Sequence, residues 1–388
     1  MVIWLLRTVL GMIVLGWLSA LWRSSRAAAK QKWVLGPSGK SAPPGVPVSV
    51  IIPARNEEEN IERCVRSVLA QDHANIQLLV FDDASTDSTP DILEQLNQES
   101  PFSIVTGDGS PLPEGWFGKP WALQRAQQRA VGEWLLFIDA DVELSPQAVS
   151  RTLAYARDNE LNMVTGLGFL EMETFWEKVL QPAIGGLILA GNSLSKVNNS
   201  EQKNANFANG QFILVSRNAY NRIGRHASVK TNILDDIGLA RALVESGAKY
   251  HCLFLTELFR CRMYTTFGEI WEGWTKNLFA GMRYSLVNVF LAVVFTFAFS
   301  ILGHLLFVLG VANIVGIEWL VWGATILLLC QSLRLLMDVR RGMEPIYGLT
   351  HAPASLFVIV LILRSALHSR RGSVTWKGRT YQPQKEQS

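Results

Sequence analysis

Apolar residues of this chain collect at its two ends, and the first long run lies at the N-terminus. Residues 2–22 are mostly apolar, and a run of this length can cross a hydrocarbon core, which is about 30 Å thick. Basic residues follow it directly: Arg23, Arg26, Lys30 and Lys32. They favour a cytoplasmic position for this end. A cleavable signal peptide would need a small-residue cleavage site, whereas Trp17 and Trp22 stand in that region. We therefore expect an uncleaved anchor over residues 1–24.

Two further apolar runs lie in the C-terminal third of the chain. Residues 286–337 carry only two formal charges, Glu318 and Arg334, and have room for two comfortable crossings or three very short ones. Residues 346–363 form another run, which one histidine and one proline interrupt. We expect membrane segments over residues 281–366.

The side on which the basic tail lies depends on how many times these runs cross. Two crossings in the earlier run and one in the later run would put residues 367–388 outside, against the tendency of basic residues to stay in the cytoplasm. The basic residues of this tail are Arg370, Arg371, Lys377 and Arg379. The sequence leaves the topology open.

Residues 48–280 have the pattern of a soluble α/β domain. A linker rich in proline and glycine precedes them, over residues 25–47. Short apolar runs, predicted as strands, alternate with segments of helical periodicity. The predicted strands are residues 48–52, 77–81, 102–105 and 134–138, and the predicted helices cover residues 57–70 and begin again at Pro90. The alternation predicts a mostly parallel sheet, which binds ligands at the carboxyl ends of its strands.

Three polar loops follow these strands and should meet at one edge of the sheet. They run from Pro53 to Glu57, from Asp82 to Asp87 and from Asp139 to Asp141. Two carboxylates two residues apart disfavour each other's ionisation unless a cation lies nearby, and carboxylates together with substrate phosphates commonly hold Mg²⁺ or Mn²⁺. Asp139 and Asp141 are therefore candidate metal ligands, or alternatively caps of the next helix. The Asp and Ser residues of the second loop are likewise common in turns and caps.

The order and spacing of these motifs resemble the family-2 glycosyltransferases of the GT-A fold, a Rossmann-like architecture. The resemblance rests on VSVIIPARNE at 48–57, DDASTD at 82–87 and DAD at 139–141, and it covers residues 48–280. It implies that Asp83 reads the uracil ring, that Asp141 is the metal-binding acid and that Asp139 lies near the ribose and the metal. The first loop would belong to the donor site, with Pro53, Ala54, Arg55 and Glu57.

Residues 115–122, with the sequence GWFGKPWA, resemble a stretch of carotenoid and hopanoid-associated glycosyltransferases. The resemblance implies that Lys119 approaches the donor diphosphate, and a compact ammonium suits phosphate. In the family the second acid of a pair such as Asp235-Asp236 is the catalytic base, which assigns that role to Asp236, with Asp235 beside it. Alternatively, the pair only stabilises the start of a helix.

The acceptor side of the predicted site is less well defined. Gln211 lies in NGQFILVSR at 209–217, which resembles the acceptor-side strand of the family. Lipid- and polymer-modifying members often carry a Q/R-x-x-R-W motif in the next segment, where this chain has WEGWTKN at 271–277. Trp271, Trp274 and Lys276 are therefore candidate acceptor contacts, although the two tryptophans would also suit an interfacial aromatic belt. The apolar segment 175–190 lies either on the membrane or in the core.

Charge and cysteine usage exclude several other classes of protein. The net charge is only +3 and the basic residues lie beside the apolar runs, which favours lipid head groups over nucleic acid. The four cysteines show no CxxC pairing and no His-Cys metal spacing, so neither a disulfide framework nor a zinc site is indicated. No obligate protein partner is evident.

Together these features predict an integral protein of a bacterial-type inner membrane with its catalytic domain in the cytoplasm. We expect inverting transfer of a sugar from a UDP-linked donor to a hydroxyl or carboxyl group of a membrane lipid, such as a carotenoid or hopanoid. The alternatives are a processive polysaccharide synthase, which needs an export channel, an inactive nucleotide-sugar-binding regulator, and a small transporter.

Overall fold

A computed structural model of the protein describes residues 1–27, 32–107, 109, 111–202, 204–370, 374–376 and 379–381. Of the predicted basic flanks, Lys30, Arg371 and Lys377 lie outside the described residues. The chain divides into two compact units. The first, which we call the sheet unit, comprises Trp33–Glu171 and Asn192–Met263; the second, the helical unit, comprises Met1–Lys32, Met172–Gly191 and Tyr264–Ser388. The sequence-based domain boundaries stay a prediction.

The strands in chain order are β1 Val48–Ala54, β2 Ile76–Asp82, β3 Ser103–Thr106, β4 Trp134–Ile138, β5 Val142–Leu144, β6 Met163–Leu167, β7 Phe169–Leu170, β8 Phe212–Ser216, β9 Tyr250–Phe254, β10 Phe259–Cys261, β11 Val374–Trp376 and β12 Arg379–Tyr381. The helices are α1 Val2–Ala27, α2 Ile61–Leu69, α3 Thr89–Glu99, α4 Gly118–Ala126, α5 Ala148–Asp158, α6 Phe175–Gly191, α7 Leu194–Val197, α8 Arg217–Arg222, α9 Asp235–Glu245, α10 Phe267–Gly281, α11 Leu286–Thr296, α12 Leu302–Val311, α13 Ile317–Arg340 and α14 His351–Arg370. A π-helix, Phe297–Ile301, joins α11 to α12, and a 3₁₀-helix, Pro345–Thr350, precedes α14.

A seven-stranded sheet in the order β3-β2-β1-β4-β8-β6-β9 organises the sheet unit. β8 alone is antiparallel to its neighbours β4 and β6, and the other pairs are parallel. A second sheet in the order β5-β10-β7 lies in the same unit. The predicted α/β class with a mostly parallel sheet is confirmed.

Both faces of the seven-stranded sheet are covered, which explains why its strands are almost continuously apolar. β1 is buried along nearly its whole length, and α2 buries Ile61, Cys64, Val65 and Val68 against the same core. The helix predicted over residues 57–70 begins only at Ile61. The preceding residues form a loop instead, because the Glu57 backbone N–H donates a hydrogen bond of 2.8 Å to the Thr89 hydroxyl.

Four helical segments are long and apolar enough to cross a membrane: Val2–Ser24, Leu286–Val311, Ile317–Arg340 and Pro345–Arg370. The prediction of apolar helices at both ends of the chain is therefore confirmed. Pro353 does not break the last segment, because it lies in the first turn of α14, where the backbone N–H groups have no intrahelical partner.

α1 and α13 run in the same direction. Arg7 makes a two-pronged ion pair with Glu318 near their N-terminal ends, at 2.6 and 2.7 Å. Near their C-terminal ends, the Arg340 guanidinium donates a hydrogen bond of 2.8 Å to the Ser24 carbonyl. α12 packs against α13 in the opposite direction, since a Cβ on Gly310 would meet Leu320 and a Cβ on Gly303 would meet Ile326. These glycines let the two backbones approach closely.

α14 lies between the second half of α13 and α10. At its start, a Cβ on Gly348 would lie 3.1 Å from the side chain of Leu335 in α13. Near its end, the Ser365 hydroxyl accepts a hydrogen bond from Phe279 N at 2.9 Å and donates one to Thr275 O at 2.6 Å, both in α10. α11 begins directly after α10, so α14 ends near the start of α11. It therefore runs antiparallel to α11 and in the same direction as α13.

Candidate active site

The carboxyl ends of β1, β2 and β4 and the amino end of β8 lie at one edge of the seven-stranded sheet. β1 and β2 are parallel, with Ala54 opposite Asp82, and β4 is parallel to β1. β8 runs the other way, with Phe212 opposite Ile138. The loops after β1, β2 and β4 and the loop before β8 therefore share this edge, which we call the polar edge.

Hydrogen bonds tie the loop after β1 to the loop after β2. The Asn56 backbone N–H donates to the Ser85 hydroxyl at 2.9 Å, and the Thr86 N–H donates to the Asn56 side-chain oxygen at 2.9 Å. Asp87 accepts hydrogen bonds from the backbone N–H groups of Glu58 and Thr89, both at 3.1 Å. Much of the polar character of these loops therefore serves to hold them together.

The two adjacent acids of the second loop have different surroundings. Asp82 is buried, and its Oδ1 accepts hydrogen bonds from the backbone and the hydroxyl of Ser85, at 3.2 and 2.5 Å. Arg55 donates a hydrogen bond of 2.6 Å to the Asp83 carbonyl, and its Nη1 lies 3.9 Å from the Asp83 carboxylate. Asp82 thus holds the turn, whereas Asp83 pairs with the arginine of the neighbouring loop.

Lys119 and Asp139 form an ion pair between the first turn of α4 and the loop after β4. The Lys119 Nζ lies 2.5 Å from Asp139 Oδ1. Desolvation works to lower the pKa of Lys119, but the charges of Asp139, Asp235 and Asp236 outweigh it, so the pKa is raised. The lysine is therefore a permanent cation that faces acids from two different loops.

Asp141 is an acid of the polar edge whose burial disfavours its ionised form. Its Oδ1 is buried and has no hydrogen-bond partner among the described residues. Burial, and then the charges of Asp139 and Glu57, raise its pKa to about 7, although a hydrogen bond with the Cys261 thiol works in the opposite direction. A nearby cation would relieve this cost of ionisation.

The donor set at Asp139 and Asp141 fits a divalent cation. Within the described ranges, no group of three or more His, Cys, Asp or Glu side chains is arranged to hold a metal ion by itself. Hard cations such as Mg²⁺ are commonly held by one or two carboxylates, with substrate phosphates and water as the remaining ligands. The partnerless oxygen of Asp141 suits one position in such a set.

Asp236 lies in the first turn of α9 and is held by two backbone N–H groups. Gly210 N donates to its Oδ2 and Ile237 N to its Oδ1, both at 2.8 Å. Burial and then the charge of Asp235 raise the pKa of Asp236 to about 6, against the effect of Lys119. The bond from Ile237 satisfies one N–H of the helix start, so the acid stabilises α9 and is also fixed in position.

Gly210 is a residue of the polar edge that the sequence did not single out. A Cβ at this position would lie 3.1 Å from the Lys119 Nζ and 3.4 Å from Asp236 Oδ2. The backbone thus passes between the cation in the first turn of α4 and the acid in the first turn of α9. Nothing in the spacing of the NGQ sequence indicates this contact, because it arises from the reversed direction of β8.

Gln211 connects the β8 loop to the second sheet. Its Nε2 lies 2.9 Å from the Cys261 sulfur and 3.3 Å from the Met263 sulfur, and Cys261 pairs with Val142, the residue after Asp141, in the second sheet. Cys261 is a second residue that the sequence did not indicate, since it matches no metal or redox spacing. It links the predicted acceptor residue Gln211 to the predicted metal acid.

The other predicted acceptor residues, Trp271, Trp274 and Lys276, lie on α10 in the helical unit. The ring of Trp271 lies 5.2 Å from that of Phe357 and 4.9 Å from the Arg364 guanidinium. Trp274 Nε1 donates a hydrogen bond of 3.2 Å to Gln181. The two tryptophans pack within that unit, and their acceptor role stays a prediction.

Comparison with known proteins places these residues in a family context. Residues 49–224 match the family model described as Glycosyl transferase family 2. The 4,4'-diaponeurosporenoate glycosyltransferase of Staphylococcus haemolyticus (strain JCSC1435) is 24% identical over 250 residues, which cover 64% of this chain and 65% of that protein. The protein of the same name from Staphylococcus aureus (strain MRSA252) is 24% identical over 349 residues, which cover 88% of this chain and 89% of that protein.

A solved structure shares the fold. It is the mannosyltransferase PcManGT from Pyrobaculum calidifontis in complex with GDP-Man and Mn²⁺, which is 14% identical, has a TM-score of 0.50 and covers 93% of this chain and 97% of that chain. At this identity the likeness concerns the fold alone. The family model over residues 49–224 and the two staphylococcal relatives support a family-2 glycosyltransferase.

Proposed function

We propose that the protein transfers a sugar from a nucleotide-sugar donor to a lipid acceptor of the membrane. The observation that carries the proposal is the charge arrangement at the polar edge. There, the Lys119 ammonium lies among the acids Asp139, Asp235 and Asp236, and Asp141 has a buried oxygen without a hydrogen-bond partner in the part of the chain that the structure describes. A nucleoside diphosphate brings negative charge, and its divalent cation would balance the acids.

The donor site in this proposal comprises the two loops that are tied together by hydrogen bonds. The Asp83 carboxylate accepts a hydrogen bond from an N–H group of the nucleotide base, and a uridine nucleotide is the simplest probe of this contact. Arg55 holds Asp83 in place through its hydrogen bond to the Asp83 carbonyl. Pro53, Ala54 and Glu57, from the same loop as Arg55, are the other proposed donor-binding residues. Lys119 contacts the diphosphate, for which a compact ammonium is suited.

Asp141 and Asp139 would hold Mg²⁺ or Mn²⁺. When bound, such a cation offsets the negative charge that develops on the nucleoside diphosphate as it leaves. The support from this chain is the Asp141 oxygen that has no hydrogen-bond partner among the described residues, together with the burial and the charges of Asp139 and Glu57, which raise the pKa of Asp141.

Asp236 is the base in the proposed reaction. Its carboxylate takes the proton of an acceptor hydroxyl as that oxygen attacks the anomeric carbon and the bond to the diphosphate breaks. The two N–H groups that hold Asp236 keep the accepting oxygen in place. A single displacement of this kind inverts the anomeric centre. Asp235 raises the basicity of its neighbour through its charge.

The acceptor is proposed to be an apolar lipid with a hydroxyl or carboxyl group, such as a carotenoid or hopanoid. The names of the two staphylococcal relatives support a carotenoid carboxylic acid. Gln211, Trp271, Trp274 and Lys276 are the proposed acceptor contacts. α6 adds support from the helical unit, because it exposes Phe175 and Trp176 while it buries Val179, Leu180 and Ile184.

We propose that the catalytic domain faces the cytoplasm of a bacterial-type inner membrane. The C-terminal ends of α1 and α13 lie together, and both carry basic residues. Arg23 lies near the end of α1 and Lys32 follows it, and Arg340 and Arg341 lie at the end of α13. Basic flanks favour the cytoplasmic side, where sugar nucleotides are made available to such enzymes.

The direction of α14 supports a cytoplasmic C-terminal tail as well. α14 starts beside Leu335, within the length of α13, and runs in the same direction as α13. Its end at Arg370 then lies on the same side as Arg340. In this arrangement α14 is re-entrant and not a full crossing, and the basic tail no longer conflicts with the preference of positive charge for the cytoplasm.

The test is release of UDP from UDP-sugars by the purified protein, with and without Mn²⁺ and with and without a lipid extract. We expect release to require both. Release that depends on metal but yields a growing polymer without lipid would favour a polysaccharide synthase. Binding of nucleotide without any release, across a panel of donors and lipids, would contradict an enzymatic role.

A further inference from the structure

A buried ion pair lies among the apolar helices of the helical unit. Arg334 and Asp338 of α13 are both almost fully buried, with side chains 5% and 0% exposed. The Arg334 Nε donates to both carboxylate oxygens of Asp338, at 2.9 and 2.7 Å, and its Nη2 donates to the Lys178 carbonyl at 3.1 Å. Two of the three guanidinium nitrogens are therefore satisfied by the protein.

Three polar atoms beside this pair are buried without any hydrogen bond from the described residues. They are Arg334 Nη1 and both ring nitrogens of His351. A Cβ on Gly348, three residues before His351, would lie 3.1 Å from Leu335 and 3.7 Å from Gln331. These two residues lie on either side of Arg334 in α13, so the chain just before His351 packs along this part of α13. A buried polar group without a partner is costly. Arg334 Nη1 and one His351 ring nitrogen are donors without a partner, and the other ring nitrogen of a neutral His351 is an acceptor without one, which indicates a missing partner.

Charged side chains of both signs lie around this pair. The cations Arg334, Arg341 and Lys178 stand against the carboxylates of Asp338 and Glu344, and Lys178 lies 3.3 Å from Glu344. An uncharged pair lies on the same helices, where the Gln331 amide nitrogen is 3.1 Å from the His304 ring. A single anionic group could accept hydrogen bonds from the unpaired nitrogens of Arg334 and His351.

The helix that carries His304 is also irregular at this level. The π-helix Phe297–Ile301 interrupts the apolar segment Leu286–Val311 just before His304, and single π turns are often found at functional sites. The residues around the cluster lie on helices that are long and apolar enough to span a membrane. A free ion would have to leave water entirely to reach it, whereas a lipid brings its anionic end to this depth with its chains in hydrocarbon.

We propose that Arg334 and His351 bind the anionic head of a membrane lipid, a carboxylate or a phosphate with one negative charge. The Arg334 Nη1–H and a His351 ring N–H donate to its oxygens, and Asp338 fixes the arginine. This lipid site lies within the helical unit and does not depend on the proposed transfer reaction.

The experiment uses the full-length protein in mild detergent, analysed by native mass spectrometry and by thermal unfolding with added lipid. The probes are phosphatidylglycerol, which carries a phosphate, and oleate, which carries a carboxylate. The test variant is His351→Leu, because His351 donates and accepts no side-chain hydrogen bond among the described residues. His368→Leu, on the last turn of the same helix, is the matched control.

We expect wild-type protein and His368→Leu to retain one lipid and to be stabilised by one of the two probes, which identifies the head group. His351→Leu should bind that probe about tenfold more weakly or worse, the loss expected for one hydrogen bond to a charged group. Arg334→Lys, which keeps the charge, should weaken binding to an intermediate degree. If His351→Leu binds both probes as the wild type does, or if the wild type responds to neither, the lipid site does not exist and the polar atoms only contact water.

Discussion

The backbone N–H of Gly210 donates a hydrogen bond of 2.8 Å to Oδ2 of Asp236. This contact joins the loop before β8 to the first turn of α9, and it leaves the Gly210 Cα close to the Lys119 ammonium. The proposed base, the proposed diphosphate-binding cation and a main-chain donor therefore meet at one point. The position of Asp236 depends on a residue that contributes no side chain.

Replacing Gly210 with alanine should impair transfer without unfolding the protein. The added Cβ would lie 3.1 Å from the Lys119 Nζ, so this ammonium must shift by a few tenths of an ångström, and 3.4 Å from Asp236 Oδ2, which leaves the acid no room to follow it. Small displacements of reacting groups can lower rates by about a hundredfold, and we expect kcat/KM to fall by about tenfold to a hundredfold. Gly45→Ala is the control, because a Cβ there meets nothing within 4 Å. Unchanged kcat/KM in Gly210→Ala would argue against this arrangement.

The polar edge could be predicted from the sequence because parallel strands carry their loops to one side. The apolar runs of the sequence predict β1, β2 and β4 as parallel strands. The acids that directly follow these strands are therefore expected at one edge of the sheet. The sequence could not predict that Asp82 stabilises the turn and that Asp83 pairs with Arg55, since this depends on which acid accepts the hydrogen bonds of Ser85. Adjacent acids look alike until the turn between them is folded.

Long-range pairings account for what the sequence did not indicate. The antiparallel direction of β8 brings Gly210 to the polar edge, and β10, paired with β5, brings Cys261 to Asp141. Neither contact leaves a periodicity or a spacing in the chain. The same holds for α14, whose hydropathy suits a crossing while its contacts with Leu335 and with α10 make it parallel to α13.

Asp141→Asn should abolish stabilisation by Mn²⁺ while leaving the metal-free protein at least as stable as the wild type. The pKa of Asp141 is raised to about 7, above its unfolded value of about 4, so its ionisation costs stability progressively as the pH rises between these values. Asparagine removes that cost. Thermal unfolding at pH 5 and pH 8, with UDP and with or without Mn²⁺, measures both effects. Glu143→Gln, an acid paired with Arg63 and Arg260, should respond to Mn²⁺ as the wild type does.

Asp83→Ala should weaken binding of UDP by about tenfold or more, because it removes a charged acceptor of a hydrogen bond from the base. The affinity for the donor should fall by a larger factor than kcat measured at saturating donor. Isothermal titration with UDP, compared with kcat at saturation, separates the two. Asp91→Ala changes an exposed acid of α3 and serves as the control. Equal affinity for UDP in both variants would move the base-reading role away from Asp83.

Single cysteines test the orientation, since the native residues Cys64, Cys252, Cys261 and Cys330 are all buried. Asn199→Cys and Thr380→Cys should react with an impermeant maleimide only after the cells are permeabilised. Asn313→Cys, between α12 and α13, should react in intact cells. Labelling of Thr380→Cys from outside would make α14 a full crossing, and labelling of Asn199→Cys from outside would overturn the cytoplasmic location.

Asp236→Asn separates a base from a helix-stabilising residue, and the acceptor decides the size of the effect. With a hydroxyl acceptor, transfer should fall by about 10² to 10⁴, the usual contribution of a positioned base, while UDP affinity and melting temperature stay near the wild-type values. A carboxylic acid acceptor is already ionised at neutral pH and needs no base, so the same substitution should then cost much less.

The pH profile supplies the matched control within the acid pair. The pKa of Asp236 is raised to about 6 by burial and by Asp235, and a base acts only when ionised. For a hydroxyl acceptor, kcat/KM should therefore rise with pH through about 6 and then level off. Asp235→Asn removes a negative charge beside the base, which lowers the Asp236 pKa. The rising part of the profile, its acidic limb, should therefore move to lower pH, while kcat/KM on the plateau stays close to the wild-type value. A limb that persists in Asp236→Asn and vanishes in Asp235→Asn would assign the base to Asp235. Full activity of both variants toward a hydroxyl acceptor would leave the pair with only its structural role at the start of α9.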